Sequence, residues 1–523
     1  MATSWRTAGT NLRGLVRRRE GVADRKWFVV ILLAVGIRLF FLVFWPQFAY
    51  EDALITFRYA ENLVKGLGFV YNPGERVLGT TAPLYGLILA VFRALTHDMF
   101  VGSALFNVSS DALLIYLIAG NLLRPGEEDP AWGPGLITGF LVASYFPFIR
   151  MSISRMETSL YVLLFFLSLW LLSRKSYALL GGTLGFLTMV RLDGFALVTV
   201  IFLWLLWKER SGLWRALLAF MCVFGLYVVV ATFYYGSPVP QSVVAKSHIY
   251  PRVFSGQRSR LQSLLMVGRY VFLGNAFHRG VFLPFFVIGV YGFYRRRSVW
   301  GTLLVVWFLI YMGALGLANT FVHEWYLDPL LLVYMVTAGV GMAVAYRAGI
   351  ARAARWRSLY RWGMLVLAVA FLMVNVTVAY YKTYWQYRFE LESRLPIGLW
   401  LHEQGGPAIS VMLEPIGYIG YYSQARIYDV MGLVTPEALS YFDAYGVDNY
   451  ILAWATRALP DFVVLRTYEF ESAAPQWREN FLDAYALRKR VRAYNKVAHR
   501  DVTFYIFQRR TYTARAAQRV REP

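Results

Sequence analysis

The stretch "FAYEDALITFRYAENLVKGLGFVYNPGERVLGTTAPLY", residues 48–85, follows the first long apolar run of the chain. It places two adjacent carboxylates, Glu51 and Asp52, before a segment whose apolar residues recur with helical spacing as far as Val64. We predict an external amphipathic helix with the carboxylates at its N-terminal end, where free amide groups and the helix dipole favour an anion. Asp52 could therefore be a simple helix cap, or one of a pair of functional carboxylates at the membrane surface.

The composition of the chain explains why a membrane surface is expected. Of its 523 residues, 58% are hydrophobic and 17% are aromatic, and the mean hydropathy is +0.45. These values are typical of a polytopic membrane protein rather than a soluble domain. The net charge of +22 would suit nucleic acid, but in a membrane protein Lys and Arg collect in cytoplasmic loops that face anionic lipid.

The membrane spans follow from the length of the apolar runs, because a crossing helix needs about 20 mostly apolar residues. Eleven spans are predicted, at residues 27–45, 101–122, 133–150, 157–173, 177–190, 194–207, 213–235, 281–294, 299–318, 326–346 and 362–381. Segment 81–96 is short and holds Pro83 and Arg93, so we predict that it dips into the outer leaflet without crossing. The loops on the side of the N-terminus then carry the excess of Lys and Arg. The N-terminal segment 1–26 is therefore predicted to be cytoplasmic, and no nucleic-acid partner is expected.

Two domains are predicted for the rest of the chain. The membrane domain covers residues 27–381, with external loops at 46–100 and 236–280. From 382 to 523 the apolar runs shorten and turn formers become frequent, which predicts a soluble α/β domain. Its strand-like runs are "AISVM", "RIYDVM", "DFVVL" and "VTFYIF", and "ELESRLPIGLWLHEQ" and "PEALSYFDAYG" have helical spacing. Eleven crossings from a cytoplasmic N-terminus place this domain outside the plasma membrane.

A family resemblance is carried by the same residues. The motif at 48–85 resembles the first extracytoplasmic loop of GT-C-fold glycosyltransferases that use polyprenyl-phosphate sugars, in particular the branch with the mycobacterial terminal arabinofuranosyltransferase. Weaker likenesses follow in chain order: "SRMETSLY" from 154, "VRLDGF" from 190, "YYGSPVPQSVVAKSHIY" from 234 and "GYIGYYSQARIYDVMGLVTPEAL" from 417. Two positions depart from the family pattern, because Glu51 replaces the first Asp and Arg155 replaces a Gly.

The resemblance implies a mostly α-helical GT-C membrane fold and transfer of a sugar from a polyprenyl-phosphate donor to an envelope glycan or glycolipid acceptor. Arabinofuranose is one candidate sugar, and mannose or aminoarabinose donors fit the same description. Because the donor sugar is already activated, transfer needs a base near the acceptor hydroxyl and cations near the departing phosphate. Asp52 and Glu51 are the candidate catalytic bases, with Asp52 slightly favoured. Attack opposite the leaving group would invert the anomeric centre.

The candidate donor-phosphate ligands are Arg58, Arg191 and Lys246, because Arg suits bidentate and Lys suits point-charge contact with phosphate. Each Arg also has a structural alternative. Arg58 could pair with Glu51 along the helix, and Arg191 could pair with Asp193 in a turn.

Further candidate substrate-binding residues lie near span ends on the same predicted side, where ionisable groups tend to be functional. They are Glu157, Asp193, His248, His323, Glu324, Trp325 and Tyr326. Neighbouring helix residues point about 100° apart, so a divalent metal ion shared by His323 and Glu324 is less favoured than hydrogen bonds to sugar hydroxyls. No other cofactor is indicated. Trp325 and Tyr326 could instead belong to the interfacial aromatic belt.

Other functions are weighed on the same residues. A transporter or flippase of lipid-linked sugars is the main alternative, but transporters often carry charges at mid-membrane, and here only Arg38 and Asp111 lie well inside predicted spans. The chain has no Asp-x-Asp motif for a nucleotide-sugar metal site. In the C-terminal domain, "GYIGYY" is predicted either to stack on the acceptor glycan or to be ordinary core.

Overall fold

The structure, a computed structural model, describes residues 27–123, 133–253, 259–274, 279–318, 322–352, 354–496 and 499–510. The predicted cytoplasmic segment 1–26 lies outside the described residues. The described part of the chain is mostly helical and includes a five-stranded sheet near its C-terminal end.

A helical domain makes up the first three quarters of the described chain, and its long apolar helices form a bundle. Its helices are α1 Trp27–Phe44, α2 Glu51–Val64, α3 Pro83–Thr96, α4 Met99–Ile115, α5 Pro134–Ser144, α6 Phe146–Ile153, α7 Thr158–Ser173, α8 Tyr177–Val190, α9 Phe195–Lys208, α10 Arg210–Phe220, α11 Leu226–Tyr235, α12 Gln241–Val253, α13 Arg260–Phe272, α14 Leu283–Arg295, α15 Val299–Leu317, α16 Glu324–Arg352 and α17 Arg357–Glu392. A π-helical turn, Tyr116–Leu122, extends α4, and another, Met221–Gly225, joins α10 to α11.

Each of the eleven predicted spans coincides with an apolar helix or helix pair of this bundle. Among the described residues, six helices are long and apolar enough to cross a membrane, or seven if α5 and α6 count as one span. That pair bends by 58°, and Pro147 is the second residue of α6. The 16 residues of α7 and 14 of α8 fall short of a straight crossing. The chain is a multi-pass membrane protein, and eleven crossings stay a prediction.

Helices α2 and α3 lie side by side outside the long helices. Helix α2 begins at Glu51, where the sequence predicts it, and α3 joins it through Arg93, whose guanidinium donates to both carboxylate oxygens of Glu61 at 2.9 and 3.3 Å. With 14 residues, α3 is about 21 Å long. That length is less than the roughly 30 Å of a hydrocarbon core, but α8 has the same number of residues, so the dip of α3 into the outer leaflet stays a prediction.

The C-terminal part forms an α/β unit, called here the sheet domain (residues 394–510). Its helices are α18 Arg394–Glu403, α19 Gly417–Ser423, α20 Ala438–Ala458, α21 Thr467–Glu471 and α22 Pro475–Ala484, and its strands are β1 Ser410–Leu413, β2 Arg426–Asp429, β3 Phe462–Arg466, β4 Tyr485–Asn495 and β5 Arg500–Arg509. The strand order is β2-β1-β3-β5-β4. Strand β1 is parallel to β2 and β3, and β5 is antiparallel to β3 and β4.

The four predicted strand segments are confirmed as β1, β2, β3 and β5. Strand β4 was not predicted, because its sequence "YALRKRVRAYN" is rich in basic residues and much of its surface is exposed. Helix α17 runs without a break past the predicted domain boundary at residue 382 and ends at Glu392, directly before the sheet domain. The domain boundaries themselves stay predictions.

The sheet domain covers the face of α2 that the helical pattern predicts to be polar and open. Arg58 and Asn62 on that face are 1% and 2% exposed. On the opposite face, Ala53 and Phe57 pack into the core of the bundle. Helix α2 therefore lies between the bundle and the sheet domain.

Candidate active site

A cavity of about 660 Å³, including its open mouth, lies where α2, α12 and the ends of several bundle helices meet the sheet domain. We call it the central cavity. It is lined by Asp52, Ile55, Thr56, Gly79, Thr80, Thr81, Met156, Glu157, Arg191, Leu192, Asp193, Ser242, Val243, Lys246, Trp325, Tyr326 and Leu433. Seven of the twelve predicted site residues are in this set. Segments that are far apart in sequence thus converge on one space.

Asp52 lies in the first turn of α2 and is half-buried. The cap residue of this helix is Tyr50, whose side chain makes no capping bond, so Asp52 is not the helix cap. Within the described residues, the Asp52 carboxylate has no hydrogen-bond or ion-pair partner. Its oxygens are therefore available to a group that enters the central cavity.

Lys246 on α12 brings a positively charged side chain to the same cavity as Asp52. Its ammonium group has no hydrogen-bonding or ion-pair partner in the part of the chain that the structure describes, and it lies 6.0 Å from the ring centroid of Tyr250. Burial alone lowers the pKa of Lys246, but the nearby Tyr326, Asp52 and Glu157 outweigh burial and raise that pKa above its usual value. Lys246 is therefore positively charged at neutral pH.

Arg191, at the end of α8, is held by a set of fixed contacts. Its guanidinium donates to both carboxylate oxygens of Asp193 at 3.1 and 2.8 Å and to the Trp325 carbonyl at 2.9 Å. Glu157 lies 3.9 Å from the same guanidinium, which also stacks 4.7 Å from the Tyr326 ring centroid. The structural alternative for Arg191 is therefore present, although the side chain still reaches the cavity wall.

The start of α16 supplies an aromatic wall. Trp325 and Tyr326 line the cavity. The His323 ring stacks on Trp325 with 4.2 Å between centroids and 10° between planes, and it is not among the lining residues. Burial lowers the pKa of His323 to about 4, so the imidazole is neutral at pH 7 and behaves as a flat aromatic support for Trp325.

Glu51 points away from the cavity and into the sheet domain. Its carboxylate accepts the backbone N–H of Gly417, accepts that of Tyr418 at 3.2 Å, and lies 3.4 Å from the Arg394 guanidinium. Burial is the main reason that the pKa of Glu51 is raised. The predicted pair of bases is therefore separated in space, and only Asp52 faces the cavity.

Arg58 is also placed away from the cavity, contrary to the prediction of a phosphate ligand. Its guanidinium donates to three backbone carbonyls, those of Tyr71 at 2.9 Å, Gly420 at 2.7 Å and Ala425 at 2.6 Å. It makes no pair with Glu51 within the described residues. Arg58 is a buried link between α2 and the sheet domain.

Two further predicted residues lie elsewhere. His248 Nε2 is 2.8 Å from the Asp443 carboxylate of α20, so it joins α12 to the sheet domain. Glu324 pairs with Arg150 at 3.1 Å, outside the central cavity. Among the residues that the structure describes, no group of three or more His, Cys, Asp or Glu side chains could hold a metal ion.

Part of the cavity wall was missed by sequence reasoning. Thr80, Thr81 and Ser242 contribute hydroxyl groups, and Leu433 contributes an apolar side chain from the sheet domain. The threonines stand in the quoted "GTT", and Leu433 stands in the family-like "VMGLVTPEAL". Neither pattern indicates by itself that these loops meet.

A second cavity of about 400 Å³ adjoins the first. It is lined by Tyr50, Phe146, Pro147, Arg150, Met151, Ser154, Met156, Thr158, Tyr270, Glu324, Trp325, Asp328 and Lys382. Met156 and Trp325 line both cavities, so the two spaces share a wall. Two carboxylates and two cations line the second cavity, which gives it no clear charge preference.

Comparison with known sequences matches one segment of the chain. Residues 379–512 fit the family described as a domain of unknown function, DUF8728, a segment that contains the sheet domain. No curated protein sequence matches this chain.

Comparison with solved structures covers nearly the whole chain. The crystal structure of ArnT from Cupriavidus metallidurans bound to undecaprenyl phosphate has a TM-score of 0.50 at 13% identity, over 94% of this chain and 98% of that chain. The apo state of that protein has a TM-score of 0.50 at 14% identity, over 95% and 98%. Arabinofuranosyltransferase AftD from Mycobacteria has a TM-score of 0.43 at 11% identity, over 94% of this chain and 42% of that chain.

The comparison with ArnT defines the class of fold. The match covers 94% of this chain, with its apolar bundle and small mixed sheet, and 98% of ArnT. The chain therefore has a GT-C membrane fold, as its motifs predict.

Proposed function

We propose that the protein is a membrane glycosyltransferase that moves a sugar from a polyprenyl-phosphate donor to an envelope glycan or glycolipid acceptor, on the external face of the plasma membrane. One observation carries the proposal: Asp52 and Lys246 line the same cavity, and neither side chain has a hydrogen-bond or ion-pair partner among the described residues. A free carboxylate and a free ammonium group in one space are what base-assisted displacement of a phosphate requires.

The proposed reaction uses these two groups on different atoms. The acceptor hydroxyl oxygen forms a bond to the anomeric carbon while the bond from that carbon to the phosphate oxygen breaks. Asp52 takes the hydroxyl proton, and the electron pair of the broken bond leaves with the phosphate. Lys246 stabilises the charge on the departing polyprenyl phosphate, with Arg191 at the edge of the site. Attack opposite the leaving group inverts the anomeric centre.

The neutral and aromatic side chains would hold the sugar. Thr80, Thr81 and Ser242 offer hydroxyl groups, and Trp325 and Tyr326 offer flat faces, a combination that suits the polar edges and apolar faces of a sugar ring. Arabinofuranose is the sugar that the sequence resemblance favours.

The nature of the donor is supported by the fold. ArnT, whose fold this chain shares, holds undecaprenyl phosphate in one of its crystal structures. We therefore propose a polyprenyl phosphate as the carrier here, with its chain in the bilayer and its phosphate at Lys246.

Transport of a lipid-linked sugar is less well supported. The two charges that lie deep in predicted spans, Arg38 and Asp111, pair with each other at 2.9 Å, and Arg38 also donates to the Ala143 carbonyl. Groups that are already paired in this way act as a structural tie between helices and are less suited to carrying a substrate.

The proposal is tested by replacing Asp52 with its amide. Asp52→Asn should slow transfer by about 10² to 10⁴, the usual contribution of a positioned base, with affinity for the donor nearly unchanged. The measurement is the initial rate of purified enzyme supplied with a polyprenyl-phosphate arabinofuranose and an arabinan acceptor. A near-normal rate in a folded Asp52→Asn protein would reject the proposal.

The adjacent carboxylate provides a matched control. Glu51→Gln keeps an oxygen that can accept from the Gly417 and Tyr418 amides, so it should retain most of the activity. A loss in Glu51→Gln that equals the loss in Asp52→Asn would indicate a shared structural effect instead of a base.

A further inference from the structure

The sheet domain contributes one side chain to the wall of the central cavity. That side chain is Leu433, in the loop 430–435 that follows β2. Its neighbour Val434 is only 1% exposed, so Val434 provides the packing of this loop, while Leu433 is left half-exposed at the cavity.

The loop that carries Leu433 is fixed by hydrogen bonds inside the sheet domain. The Asp429 carboxylate accepts the backbone N–H groups of Met431 at 2.9 Å and Val434 at 3.1 Å, and also that of Leu433. Gly432 has a φ of +75°, a conformation that L side chains rarely adopt. These contacts fix the direction of the loop, because the donors nearest its tip are bound to one buried carboxylate.

The same loop is also fixed from outside, by the membrane domain. Gln241 Nε2, on α12, donates to the Gly432 carbonyl at 3.2 Å. A Cβ atom at Gly79 would lie 2.5 Å from the Val434 side chain and 2.7 Å from the Leu433 carbonyl, so only Gly allows so close an approach. Contacts from the sheet domain and from the membrane domain together fix the position of Leu433 at the cavity wall.

We infer that Leu433 selects the acceptor by packing on its sugar ring, an inference that rests on the proposed function. A donor whose polyprenyl chain stays in the bilayer reaches the cavity from the bundle, where Arg191 and Trp325 lie. The sheet domain contributes Leu433 to a separate part of the wall, and we assign that part to the acceptor. An apolar side chain there packs on the C–H face of a ring and excludes rings that are too large. This gives the segment matched as a domain of unknown function a role in specificity.

The aromatic run "GYIGYY", for which the sequence leaves acceptor stacking and ordinary core open, is not among the residues that line the cavity. Tyr418 of "GYIGYY" is 1% exposed and donates to the Ala49 carbonyl at 3.0 Å. It belongs to the packing between α19 and α2, which is the ordinary-core alternative for that motif.

The test measures binding without turnover, on the full-length protein in lipid nanodiscs. The probes are octyl arabinofuranoside, octyl mannoside and octyl galactoside, with undecaprenyl phosphate as the carrier probe. The variants are Leu433→Ala and Leu433→Trp, and the control is Leu482→Ala on α22, a residue that is 40% exposed and not among the cavity-lining residues.

Leu433→Ala should change the affinity ratio between the best and worst glycoside by about five- to tenfold. Leu433→Trp should weaken the binding of all three glycosides at least about tenfold, because the indole would fill part of the space for the acceptor. Affinity for undecaprenyl phosphate and the melting temperature should match those of the control.

The inference fails if both variants keep the wild-type ratios of glycoside affinity, or if they weaken binding of undecaprenyl phosphate as much as binding of the glycosides. It also fails if no glycoside binds the wild-type protein. Wild-type protein that binds glycosides but not undecaprenyl phosphate would instead contradict the proposed donor, and the glycoside ratios would still decide the role of Leu433.

Discussion

At the scale of single residues, two adjacent carboxylates have different surroundings. Glu51 and Asp52 are neighbours in the first turn of α2, so their side chains point about 100° apart. Glu51 accepts backbone amides of the sheet domain, whereas Asp52 faces the cavity without a protein partner among the described residues. One carboxylate therefore positions the helix that presents the other.

Lys246→Gln should raise the donor KM. The substitution removes a positive charge that is available to the phosphate, and a hydrogen bond to a charged group contributes about 1.5–3 kcal/mol, which corresponds to a KM about 10- to 100-fold higher. Because the pKa of Lys246 is raised, the wild-type donor KM should show no loss of this contact between pH 6 and pH 9. Steady-state kinetics with varied donor measures both effects.

Lys65→Gln is the matched control for this prediction. Its side chain is 45% exposed and lies beside Glu61 on the surface of α2, so its loss should leave the donor KM within about twofold. A donor KM that is equally insensitive to both substitutions would place the phosphate away from Lys246.

Sequence reasoning could identify the residues of the cavity only where a motif marked them. Asp52, Arg191 and Lys246 stand in family-like motifs, and the structure brings all three to one space. Arg58 stands in the same motif as Asp52, but its partners include the carbonyl of Gly420, 362 residues further along the chain. No local pattern indicates a contact at that separation.

At the scale of elements, α2 lies between the bundle and the sheet domain. Its apolar face packs into the bundle and its polar face receives α19. An amphipathic pattern predicts one apolar and one open face. Here the polar face is covered as well, and the burial of Arg58 and Asn62 is tolerable because both side chains hydrogen-bond to backbone carbonyls of neighbouring segments.

Arg58→Met should weaken the attachment of the sheet domain. Three buried carbonyls would lose their donor, which should lower the free energy of unfolding by about 2–4 kcal/mol. Limited proteolysis should then cleave faster between the bundle and the sheet domain, while the donor KM of the folded fraction stays within about twofold. Thermal unfolding and protease half-life are the measurements.

The control for this prediction is Arg426→Met. Arg426 also joins the sheet domain to the first loop, through Glu75 at 2.7 Å, but its side chain is 56% exposed, so its loss should cost less than about 1 kcal/mol. A raised donor KM with unchanged stability in Arg58→Met would instead indicate that Arg58 binds the donor phosphate.

At the scale of the whole molecule, the sheet domain and the bundle form one functional unit. Tyr71 donates to the Ile416 carbonyl at 2.6 Å, and Asn72 exchanges two hydrogen bonds with the backbone of Ile427 at 2.9 and 3.0 Å. With Leu433 in the cavity wall, the site is incomplete without the sheet domain. The second domain is therefore part of the catalytic structure that we propose.

The orientation of that unit in the membrane stays a prediction, and α17 makes it testable. Its 36 residues, Arg357–Glu392, make a helix about 54 Å long, which exceeds the roughly 30 Å of a hydrocarbon core and is long enough for its two ends to lie on opposite sides of the membrane. The basic segment before it indicates a cytoplasmic start. A fluorescent-protein reporter fused after Arg361 should therefore be active in the cytoplasm, and a phosphatase reporter fused after Arg510 should be active outside. Two cytoplasmic results would contradict the topology, and the sugar transfer proposed here would then take place on the cytoplasmic face.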